Sequence, residues 1–77
     1  MEPLEAVVLH NPREPIKAAL RKGPIVVIAL RLGPGTWKPL YALNGRRRVA
    51  LPRNFWTLEA IGILEAAVFT SKPNGGL

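Results

Sequence analysis

The apolar and polar positions of this chain change period several times, and each change marks an element. Glu5–His10 (EAVVLH) places β-branched Val7 and Val8 before the Asn11-Pro12 break and predicts a short strand. Pro15 suits the first turn of a helix, and IKAALRKG continues it to a stop at Gly23. That helix would bury Ile16, Ala19 and Leu20 and carry Arg13, Lys17 and Arg21 on a basic flank. Ile25–Leu32 (IVVIALRL) is almost wholly apolar and β-branched, as a central strand is. Gly33-Pro34-Gly35 makes a short loop, and Thr36–Leu43 returns as a second strand, with Pro39 pointing to an edge or a bulge. Asn44-Gly45 is the dipeptide favoured by a two-residue type I′ turn, and Arg46–Leu51 follows as the third strand, closed by Pro52.

The last periodic stretch is LEAIGILEAAVF, capped by Asn54 or Thr57 and running to about Phe69. Leu58, Ile61, Leu64, Ala67 and Val68 form its broad apolar face, and Glu59, Gly62, Glu65 and Ala66 a narrower stripe. Gly62 and Ala66, four apart, suit close approach of another backbone; packing on the protein's own sheet is preferred to a homodimer seam. Phe55-Trp56 reads as a hydrophobic staple at the helix entry, with Arg53 beside it as a phosphate contact. The expected fold is α+β: a short N-terminal strand, a helix, a three-stranded antiparallel meander, and a C-terminal helix packed on one face of the sheet. Residues 1–70 form a single small domain, and 71–77 (SKPNGGL) a flexible tail.

Turn geometry sorts the meander into two faces. With Asn44-Gly45 as the loop, Leu43 pairs with Arg46 and Tyr41 with Arg48; with Gly33-Pro34-Gly35 as the other, Arg31 lies opposite Trp37 and Val27 opposite Tyr41. One face then holds Val26, Ile28, Leu30, Leu32, Leu40, Ala42, Val49 and Leu51 as the core. The other collects Arg31, Trp37, Tyr41, Arg46 and Arg48 with Ile25, Val27 and Leu43, and a bulge at Pro39 would reverse the facing of Trp37.

Charge sharpens this picture. The net charge is +6, and the span from Arg13 to Arg53 holds ten Lys or Arg against Glu14 alone. Such a segment attracts phosphate polymers or acidic protein surfaces. Arginine beside aromatic rings also suits a nucleic acid, because rings stack on bases while guanidinium groups hold phosphates. Local cation–π pairing of Arg31 and Arg48 with Trp37 and Tyr41 is the purely structural use of the same residues.

Other chemistry is poorly supplied. There is no Cys, Asp or Gln, His10 is the only histidine, and Ser71 the only serine. Metal sites, serine triads and phosphate-binding lysine loops therefore lack their residues, and no metal or cofactor is implied. The N-terminus lacks a basic segment followed by a long apolar run, and the apolar runs Ile25–Leu30 and Ala60–Leu64 are too short to span a bilayer, so a cytoplasmic, non-membrane protein is expected.

The layout helix, three-strand meander, helix over residues 13–69 resembles that of double-stranded-RNA-binding domains and of compact ribosome-dependent endoribonuclease toxins. LEAIGILEAA is acidic where the former carry lysines, and the glycine- and serine-containing histidine motif of the latter is missing, so no family is assigned. The leading expectation is a nucleic-acid-binding module, RNA or DNA, without catalytic residues. Its contacts would be Arg46, Arg47, Arg48, Trp37, Tyr41, Arg31, Lys38 and Arg53. The alternatives are a module docking an acidic protein partner through the same face, as an inhibitor or assembly factor does, and a sheet-borne ribonuclease using His10, Tyr41 and arginines.

Overall fold

The computed structural model describes residues 3–9 and 15–70. They form one five-stranded antiparallel sheet in chain order: β1 (Leu4–Val8), β2 (Lys17–Lys22), β3 (Ile25–Gly33), β4 (Thr36–Asn44) and β5 (Arg47–Val49). A one-turn 3-10 helix (Arg53–Phe55) then leads into α1 (Leu58–Thr70). The α+β class holds. The expected tail, His10 and the Asn11-Pro12 break lie outside the described residues.

The helix expected before the meander is instead a strand. In β2, Ala18 and Leu20 are fully buried while Lys17 and Arg21 are exposed, a period of two. KAALRK favours a helix by composition, but six residues cannot offset the cost of nucleating one. As a strand, β2 pairs along its whole length with β3 and through Ala18–Lys22 with β1, so both of its edges are satisfied. The layout that resembled double-stranded-RNA-binding domains and the endoribonuclease toxins goes with that helix.

Two local features reset the expected register. Asn44 pairs with Arg47, so the loop residues are Gly45 and Arg46 rather than Asn44 and Gly45. Gly45 has φ +66° and no described non-glycine residue has positive φ, which fits a type II′ turn and not a type I′. Leu43 therefore faces Arg48 instead of Arg46. The second feature is an irregularity at Pro39: Tyr41 pairs with Ile28 and Pro39 with Ala29, leaving Leu40 as the extra residue of a bulge. Pro39 has no N–H for the ladder, and the strand gives way there. Trp37 and Tyr41 consequently face opposite sides.

The core lies between α1 and the inner face of the sheet. Ala18, Leu20, Val27, Ala29, Trp37 and Ala42 meet Phe55, Ala60 and Leu64. This reverses the expected facing of β3: Val27 and Ala29 point inward, and Val26, Ile28 and Leu30 outward. Because IVVIALRL is apolar on both sides, its pattern does not choose a face. The alanines supply the choice, since Ala18, Ala29, Ala42 and Ala60 are all fully buried on this side, where α1 comes nearest to β1 and β2.

Thr57 caps α1, its Oγ1 accepting from the Ala60 N–H at 3.1 Å. Ala60 and Leu64 are buried, with Ile61, Ile63 and Val68 packed beside the core. Leu58, expected on the apolar face, is 90% exposed. Gly62 is exposed too, and a Cβ built on it meets nothing within 4 Å, so it is not a packing glycine.

Candidate nucleic-acid interface

The residues expected on one basic face are divided between two. Arg31 and Trp37 do lie opposite each other, but on the inner face, where both reach Glu65 of α1. Arg31 donates from Nε to Oε2 at 2.9 Å and from Nη2 to Oε1 at 2.8 Å, a two-pronged pair. The Trp37 indole N–H donates to Oε2 at 2.6 Å. The hydrogen bonds from Arg31 hold the Glu65 carboxyl down at about 2 against the desolvation that opposes them, with help from the Trp37 indole and the Gly35 backbone N–H. Arg31 and Trp37 thus fasten the helix to the sheet and leave the outer face without an indole.

Residues of alternating parity line the uncovered outer face, and the register arranges them in rows. Glu5, Arg21, Val26, Leu43 and Arg48 form one row across all five strands. Val7, Ala19, Ile28 and Tyr41 form the next, and Lys17, Leu30 and Lys38 the third. Arg21 and Arg48 are three strand spacings apart, about 14 Å, and Lys17 and Lys38 two, about 10 Å. Four residues along β2 separate Arg21 from Lys17, about 13 Å. The four cations are exposed, and between them lies a strip of half-buried Val26, Leu30, Leu43 and Tyr41 with the nearly covered Ile28.

The Arg48 guanidinium sits over the Tyr41 ring, 4.5 Å from its centroid, as the local cation–π reading anticipates. Arg46 occupies the turn tip and Arg47 the inner side of the same corner, both exposed. Arg53, in the 3-10 helix, is exposed, while Phe55 beside it is buried and Trp56 packs against the core as part of the helix entry. Lys17 and Arg21, expected on the basic flank of a helix, join the sheet instead; the run Lys17, Ala19, Arg21 at alternate positions is the signal that identifies a polar strand face.

Two of the three described acidic groups are kept away from this surface. Among the described residues Glu59 and Glu65 belong to α1 on the other side, and only Glu5 lies outward, 3.2 Å from Arg21. That pair is exposed and weak. Among the described residues no three His, Cys, Asp or Glu side chains gather as metal ligands, and no helix is long and apolar enough to cross a membrane. No family model, curated protein or solved structure matches the chain.

Proposed function

We propose that this chain is a small nucleic-acid-binding module and acts without catalysis, through the outer face of its sheet. Lys17, Arg21, Lys38 and Arg48 contact phosphates, and Arg46 and Arg47 extend the charge at the hairpin tip. The observation that carries this reading is the placement of these four exposed cations around one strip that no described element covers, opposed on that face, among the described residues, only by Glu5. Phosphate polymers satisfy several cations at once, and each neutralised phosphate releases counterions.

A module for an acidic protein partner is the second reading, favoured by the aliphatic strip of Val26, Ile28, Leu30 and Leu43, since an apolar centre with a charged rim suits a protein interface. Salt separates the two. Fluorescence anisotropy of labelled DNA and RNA across a salt series is expected to show log K falling with log[salt] at a slope of about −3 to −4 for four contacts on a duplex. No binding to any oligomer at low salt by folded protein would rule out the nucleic-acid reading.

A further inference from the structure

We infer that the outer face sits astride the minor groove of double-stranded DNA, with little preference among base sequences; this rests on the nucleic-acid reading above. The first reason is the two-sided charge. Arg21 and Arg48 stand in one row and Lys17 and Lys38 in another, about 13 Å apart along the strands, with Ala19, Ile28 and Tyr41 in the row between them. A single strand presents one line of phosphates, whereas a duplex groove presents two with base edges between them. A minor groove about 6 Å wide, with the phosphate group on each side, matches that spacing once the long side chains lean in. The major groove admits a helix or a two-stranded ribbon, and a five-stranded face is too broad to enter it.

The second reason is the missing stacking platform. Single-strand binding draws on bare aromatic faces. Here Trp37 is 7% exposed on the inner side, and Arg48 covers the Tyr41 ring. The third reason is the chemistry of the strip. Val26, Ile28, Leu30 and Leu43 are hydrocarbon, and the three rows that hold the cations contain no Asn, Gln, Ser or Thr to read a base edge, while Thr36 beyond Lys38 turns its hydroxyl to the Pro34 carbonyl. A minor-groove floor demands little such readout, because its donor–acceptor pattern is degenerate. An A-form RNA minor groove displays a row of 2′-hydroxyls, which this strip would desolvate while offering the Tyr41 hydroxyl alone as a partner.

The test uses the whole chain with a short A·T-rich DNA duplex, its separate strands and the RNA duplex of the same sequence, followed by competition with netropsin, a minor-groove ligand. Duplex DNA is expected to bind about tenfold tighter than the other three, and netropsin to displace the protein. Lys17→Ala/Lys38→Ala and Arg21→Ala/Arg48→Ala, each checked for native circular dichroism, should both weaken binding and lower the salt slope by about 2. Tighter binding to RNA or to single strands, indifference to netropsin, or an effect confined to one pair overturns the minor-groove inference while the nucleic-acid reading stands. Absence of binding to all four probes removes both.

Discussion

Arg31 and Glu65, 34 positions apart in the chain, close a two-pronged ion pair that ties the centre of the sheet to the middle of α1. The two side chains keep only 18% and 16% of their exposure, so water shields the pair little. Glu65→Ala leaves a largely desolvated guanidinium without its carboxylate and is expected to cost about 2–4 kcal/mol. The measurement is a urea midpoint at unchanged m-value. Combining Arg31→Met with Glu65→Leu should recover most of the loss, because two apolar groups carry no stranded charge.

The same carboxylate predicts an acid limb. Its folded value of about 2 lies below the ordinary 4.5, so between these values the unfolded chain binds the extra proton. The stabilisation is complete above about pH 5 and is lost as pH falls toward 2, amounting to at most about 3 kcal/mol. Thermal melts across this range should show a steep fall for the native chain and a flatter one for Glu65→Gln.

Two glycines should respond oppositely to alanine. Gly45, at φ +66° in the β4–β5 turn, occupies a left-handed conformation that costs an L-residue about 1–2 kcal/mol, so Gly45→Ala destabilises. Gly62 lies inside α1 with open space around its Cβ position, and Gly62→Ala should stabilise by about 1 kcal/mol. Equal signs in paired denaturation curves would contradict the geometry of one of the two sites.

Thr57→Ala removes the acceptor of the Ala60 N–H at the start of α1 and should cost about 1 kcal/mol, whereas Thr57→Ser should cost less than half of that. Asn54→Ala is the internal comparison, because Asn54 lies within the 3-10 helix and does not cap α1.

Legibility in the sequence followed how far each signal depended on neighbours. The two long strands and the C-terminal helix follow from local pattern and turn chemistry, which leave its cap open between Asn54 and Thr57; the structure selects Thr57. The helix expected at IKAALRKG did not survive, because strand partners on both sides outweigh a weak propensity in six residues. Facing was hardest. IVVIALRL is apolar except for Arg31, and a single extra residue at Leu40 separates Trp37 from Tyr41. The Arg31–Trp37 pairing was readable from the loop between β3 and β4, but its orientation depended on Glu65, far along the chain.

Lys17, Arg21, Lys38 and Arg48 lie outward against Glu5, while on the helix side Glu59 and Glu65 offset Arg31 and Arg47, so among the described residues positive charge weighs toward the outer face and acts as a dipole roughly along the sheet normal. In the field of a long polyanion that dipole exerts a torque, so the protein turns its sheet toward the polymer before any atoms touch. More random encounters then begin in a productive orientation, and added salt weakens this alignment over distances beyond about 10 Å.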